Sequence, residues 1–210
     1  MPAEAPSSLL VRALDPGAVP PDDATSTRIL DAALDVAAAS GLRHLTIDDV
    51  AGQAGVGRVT VYRRFGDRQR LIEALGVREA RRCIAQLDEA TTPDQPISEQ
   101  VADGFVAGLR LIREHPLLSR LVAHEPHALL DALNNPRTAL FSLARAYVAG
   151  RLAAARPAGV RADLDLDQVA EAFLRVTVSF ALIAETALPI GDDDAAREVA
   201  RRLFAPIVAG

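Results

Sequence analysis

An all-α fold is expected from three features of the sequence. Apolar residues recur three and four apart in segment after segment, and no stretch shows the strict alternation of a half-buried strand. Gly or Pro stands where one helical pattern stops and the next begins. These patterns divide the chain unevenly. Residues 1–24 carry Pro2, Pro6, Pro16, Pro20 and Pro21 among Ser, Asp and Gly, so they are expected to be a disordered arm. Residues 25–75 should form a small three-helix unit, and residues 76–210 a larger helical domain.

In the small unit, Ile29, Leu30, Ala33, Leu34 and Ala37 give an amphipathic helix over about residues 26–40, stopped by Gly41. Thr46, with Asp49 three residues on, predicts the cap of a second helix carrying Ile47, Val50, Ala51 and Ala54 on one side. Gly55 ends it, because glycine alone enters the left-handed region without a side-chain clash. A third helix over about residues 57–64 turns Val61 and Phe65 inward. Its other positions are Arg58, Val59, Thr60, Tyr62, Arg63 and Arg64, a cationic, hydrogen-bonding face. Helix, short glycine turn and helix with such a face are what a helix-turn-helix needs to enter a DNA major groove.

The segment TRILDAALDVAAASGLRHLTIDDVAGQAGVGRVTVYRRFGDRQRLIEAL closely resembles the TetR family of bacterial regulators. The specific marks are Gly41, Thr46, Ile47, Ala54-Gly55-Val56, Thr60, Tyr62, Phe65 and Leu71. Gly57 departs from the family's usual capping Ser or Thr, and Val59 from a common small residue. The first departure weakens the start of the third helix slightly, and the second sets a branched apolar group where it can meet a thymine methyl. The resemblance implies a palindromic operator in double-stranded DNA and a homodimer formed through the last two helices. It also implies an unknown small-molecule effector that alters the fourth helix and hence the spacing of the recognition helices, ideally about 34 Å or a multiple. DNA-binding candidates are Thr46, Arg58, Val59, Thr60, Tyr62, Arg63, Arg64 and Arg68. Arg58 and Thr60 are assigned to base edges, Tyr62 and Arg63 to phosphates, and Arg64 to either. By resemblance, Arg68 also binds a phosphate.

Further on, Asp67 should cap a fourth helix from Arg68 to about residue 89. Helices follow over residues 97–114, after Pro116, after Pro126, and over 137–156, 166–188 and 193–208. The last two are apolar on two sides, so they must be buried on two sides, one of them against a partner subunit. Effector-pocket candidates are Phe105, Leu109, Phe141, Tyr147, Phe173 and Thr177, each of which is equally readable as plain core. The scarcity of polar residues there favours an apolar ligand.

A net charge of −5 rules out an indiscriminate polycation, yet five arginines face one acid between residues 58 and 70. All 23 basic residues are arginine. The lone Cys83 fits a reducing cytoplasm and reads as a small buried hydrophobe. No secretory signal is evident, and the longest apolar block, nine residues from Val176, falls short of the roughly 20 needed to cross a bilayer. A soluble cytoplasmic protein is therefore expected. His115, His124 and His127 with Glu125 invite a metal, but Pro126 interrupts the helix that would align them, so no metal or other cofactor is expected. Ser142, Ser179 and Cys83 lack a nucleophile motif, and no enzyme activity is expected. The sequence thus reads as a ligand-responsive, DNA-binding transcriptional repressor. The alternatives are an activator or ligand-independent regulator, or a helical small-molecule-binding protein without DNA function.

Overall fold

Helices make up nearly all the regular structure of the computed structural model, which describes residues 23–134, 140–183 and 185–209. Helix α1 (Ala24–Ser40) begins earlier than its apolar pattern suggests. The Asp23 carboxylate accepts from the N–H groups of Thr25 and Ser26 at 2.9 and 3.1 Å, pairing donors that the first turn leaves orphaned. Asp23 and Ala24, assigned to a disordered arm, therefore open a helix; the rest of that arm lies outside the described residues. Helix α2 (Ile47–Ala54) is capped by Thr46, whose hydroxyl oxygen accepts from Asp49 N–H at 3.1 Å. Gly55 ends it at φ 63°, and a short turn leads into α3 (Arg58–Phe65). Helix α4 (Arg68–Glu89) follows, with the Asp67 carboxylate accepting from Arg70 N–H at 2.8 Å.

The remaining helices are α5 (Ile97–Glu114), α6 (Pro116–His124), α7 (Pro126–Asn134), α8 (Leu140–Ala154), α9 (Leu166–Leu182), α10 (Asp193–Leu203) and α11 (Ala205–Val208), with a 3-10 turn at Arg156–Ala158. Two boundaries differ from expectation, and a third is not covered. Residues 137–139 of the expected eighth helix lie outside the described residues. Helix α9 stops at Leu182 rather than 188: Thr186 takes the Leu188 N–H on its hydroxyl at 3.0 Å, and Pro189 biases Leu188 toward extended backbone. The last expected helix is two helices. Pro206 has no N–H to give the preceding turn, so the chain breaks at Phe204 and restarts as α11 with the proline in its first turn.

Contacts group the chain into two compact units, Met1–Cys83 with His115–Ala139, and Ile84–Glu114 with Leu140–Gly210. This grouping is not collinear with the chain: α6 and α7 pack with the N-terminal helices. In the first unit, Ile29, Leu30, Ala33, Val50, Val61, Phe65, Leu71 and Leu75 form one core, with Leu117 of α6 against it. Arg120 of α6 donates to Ala39 O at 2.9 Å. In the second unit, α5 packs on α10 through Ala102, Phe105, Leu109, Ala196, Val199 and Ala200. Ion pairs flank this seam. Arg201 makes a forked pair with Glu99 at 2.7 and 2.8 Å, while Arg197 reaches Asp103 and Arg110 reaches Asp193. No helix among the described residues is long and apolar enough to cross a membrane.

Candidate nucleic-acid interface

Helix α3 is fixed to its core by Val61, fully buried, and by Phe65 four residues on. That anchoring turns the other faces outward. Val59 is 75% exposed and Tyr62 41% exposed, while Arg58 and Arg63 are exposed and Thr60 is half-buried. The Arg58 guanidinium lies over the Tyr62 ring, 5.5 Å from its centroid, and 3.4 Å from Asp48 of α2. Its hydrogen bond with Tyr62 and the Asp48 charge hold its pKa even above the ordinary arginine value. Exposed ion pairs of this kind are weak in water, so Arg58 is held in place yet available to a better anion. Gly57 precedes α3 without any side-chain cap, so the helix start leaves its first N–H groups to solvent or to an incoming phosphate.

The eight sequence-derived candidates do not share one face. Arg58, Val59, Tyr62 and Arg63 are solvent-facing, with Thr60 beside them. Thr46 is exposed, but its hydroxyl donates to Asp49 at 2.6 Å as well as capping α2. Arg64 and Arg68 turn onto protein. Arg64 pairs with the Asp23 carboxylate and donates to Ser26 Oγ at 2.9 Å, joining the recognition helix to the start of α1. The Asp23 carboxyl is held below its ordinary range by the Ser26 N–H and, after burial's opposing effect, by Arg64. Arg68 donates from Nε to Leu45 O at 2.6 Å, and from Nη2 to Leu42 O at 2.6 Å and Arg43 O at 3.0 Å. It thereby ties α4 to the loop between α1 and α2. Sequence reasoning missed the bracing role of Asp23 and Ser26, although an Asp before a helical pattern is a recognisable cap signal.

The same unit holds a second polar cluster that the sequence did not reveal. His115 caps α6, with its Nε2 3.2 Å from Glu79 Oε2. Cys83 is half-buried, while His124 and His127 are exposed.

The second unit contains a half-open cavity of about 170 Å³. Of the expected ligand residues, Phe105, Tyr147, Phe173 and Thr177 line it. Leu109 and Phe141 do not: Leu109 is 2% exposed within the α5–α10 core, and Phe141 lies under the Arg175 guanidinium at 5.2 Å. Phe204 is brought to the cavity by the break before α11. Arg151 and Thr91 add polar lining that no helical pattern had singled out.

Comparison with known proteins agrees with this architecture. Residues 29–75 match the family described as bacterial regulatory proteins, tetR family. An uncharacterised HTH-type transcriptional regulator, YvkB of Bacillus subtilis (strain 168), is 41% identical over 51 residues, which cover 24% of this chain and 27% of that protein. The match therefore spans about a quarter of that relative. Over most of the chain the likeness is one of fold. A putative TetR-family transcriptional regulator from Vibrio parahaemolyticus superposes with a TM-score of 0.63 at 23% identity, covering 89% of this chain and 99% of that one. GusR of Salmonella enterica gives 0.66 at 19% identity, covering 88% and 95%. Residues 29–75 are thus matched in sequence to the tetR family of bacterial regulatory proteins, and most of the chain is matched in fold to solved structures.

Proposed function

We propose that the chain is a transcriptional regulator that binds operator DNA as a homodimer and releases it when a small molecule occupies the second unit. The observation that carries this reading is the division of labour on α3. Val61 and Phe65 are committed to the core, Arg64 is committed to α1, and Arg58, Val59, Thr60, Tyr62 and Arg63 remain on or beside the outer surface. That face can place a guanidinium on guanine O6 and N7, a methyl on thymine and a hydroxyl on either base edge.

Dimerisation is supported by apolar side chains that the single chain leaves uncovered. Leu203 is 49% and Ile207 46% exposed at the end of the chain, and Ile183 is exposed after α9. A twofold partner covering them would give two recognition helices and a palindromic site. The cavity beside Phe105, Tyr147, Phe173 and Thr177 is the effector site in this reading.

The test is fluorescence anisotropy with DNA from upstream of the coding region and a scrambled duplex, across several salt concentrations. Wild-type protein should prefer the upstream DNA, and Arg58→Ala should erase most of that preference while leaving non-specific binding. Equal binding of both duplexes by the wild type at every salt concentration refutes the reading.

A further inference from the structure

Arg151, which lines the cavity, is charge-paired with Asp88, which does not, and this restricts what can bind there. Arg151 Nη1 lies 3.3 Å from Asp88 Oδ1, and its Nη2 donates to Thr91 Oγ1 at 2.6 Å. The Tyr147 hydroxyl donates to the same Asp88 Oδ1 at 2.8 Å. One cation thus meets one anion, and the phenol proton of Tyr147 is already committed. Arg151 retains N–H groups beyond the two in use. A visiting anion would meet a guanidinium whose charge Asp88 already balances, and a visiting cation would meet that guanidinium's own charge; either would enter a largely apolar recess poorly compensated.

The rest of the recess is aromatic. The Phe204 ring lies 4.9 Å from Phe105 and 6.0 Å from Phe173, centroid to centroid, with tilted planes. Tilted rings present both faces and edges, the arrangement in which a further ring packs favourably. A cavity of about 150 Å³ lined by Leu, Ile and Phe holds one benzene, so about 170 Å³ admits one ring and a small substituent.

We propose that this cavity takes an uncharged single-ring aromatic molecule bearing a hydroxyl whose oxygen accepts from Arg151. The inference rests on the reading of the cavity as the effector site, and it names the class of effector.

The test is isothermal titration calorimetry of the full chain at neutral pH with phenol, benzoate, benzylamine and cyclohexanol, each also added to the protein–DNA complex. Wild-type protein should bind phenol at least tenfold more tightly than any of the other three. Asp88→Asn keeps the side-chain shape but leaves Arg151 unbalanced, so it should reverse the order and favour benzoate; its circular dichroism and thermal transition establish that it folds. Gly108→Leu, from a cavity-lining glycine whose added Cβ would meet only Thr177 at ordinary contact distance, should abolish phenol binding. Benzoate binding the wild type as well as phenol does, an unchanged order in Asp88→Asn, or no binding of phenol overturns the proposal. If phenol binds as stated but DNA affinity does not change, the class of ligand stands and the effector reading falls. If benzoate releases DNA and phenol does not, the effector reading stands and the class falls.

Discussion

His115 makes the stability of the first unit depend on pH in a direction that can be worked out beforehand. Cys83 and Glu79, one helical turn apart on α4, act on its ring and outweigh burial to raise its pKa from 6.5 to about 9. Burial likewise opposes the Glu79 charge, but His115 and Arg78 hold that carboxyl below its ordinary value. Since the folded pKa exceeds the unfolded one, protonation favours the native state. The contribution is whole below about pH 6.5, shrinks as pH rises, and is gone above about pH 9. At about 1.4 kcal/mol per pK unit, the full contribution is of order 3 kcal/mol. Neutral His115 gains something in return, because its free Nδ1 can then accept the Leu118 N–H, but at 3.4 Å that bond is long and offsets little. His115→Asn isolates the charge: asparagine still caps α6 but does not titrate. Urea denaturation of both proteins should give a stability difference that falls by about 3 kcal/mol between roughly pH 6 and pH 9.5. A difference constant to within about 0.5 kcal/mol, or one that grows with pH, refutes the assignment.

Three further outcomes follow from the geometry. Arg68→Ala should lower stability by about 2 kcal/mol through the loss of three charge-assisted bonds, with the slope of log K against log salt unchanged; denaturation and salt titrations read the two effects, and a slope reduced by about 0.9 would instead reveal a phosphate contact. Gly57→Ser supplies the absent α3 cap at φ −70° with nothing within 4 Å of the new Cβ, and should stabilise by about 0.5 kcal/mol in thermal melts. Leu203→Glu combined with Ile207→Glu should give a folded monomer by sedimentation and a large loss of operator affinity; a dimer of undiminished affinity would move the interface elsewhere.

Much of the fold is legible because local signals repeat the same message. Thr46 with Asp49, Gly41 and Gly55 mark helix ends by chemistry that acts within one turn, and the Val61/Phe65 spacing identifies the buried side of α3. What was not legible depends on pairs far apart in sequence. Nothing near Arg64 says that its partner is Asp23, and nothing near Arg68 says that three loop carbonyls await it. An arginine in a basic run reads as free until its acceptor is located. The candidate cavity was half legible for a similar reason. Phe105 and Phe173 follow from helical faces, whereas Phe204 enters only because Pro206 breaks the helix, and Asp88–Arg151 is a long-range pair.

The sorting of arginines changes the physical picture of recognition. A face of five free guanidinium groups would be mobile, each losing rotamer freedom on meeting DNA. Here Arg64 and Arg68 hold α3 and its neighbours to α1 and the following loop, and Arg58 is stacked on Tyr62. Part of the ordering is therefore complete in the free protein, which lowers the cost of docking. The price is charge: fewer guanidinium groups remain for phosphates, so non-specific attraction is weak on a chain of net charge −5. Specificity, the ratio of the two affinities, rises from both sides. On this account Arg64→Ala should lower specific affinity more than non-specific affinity although Arg64 touches no base, because α3 would lose its tie to Asp23 and Ser26. A phosphate-binding Arg64 would lower both alike, and anisotropy titrations on the two duplexes separate the cases.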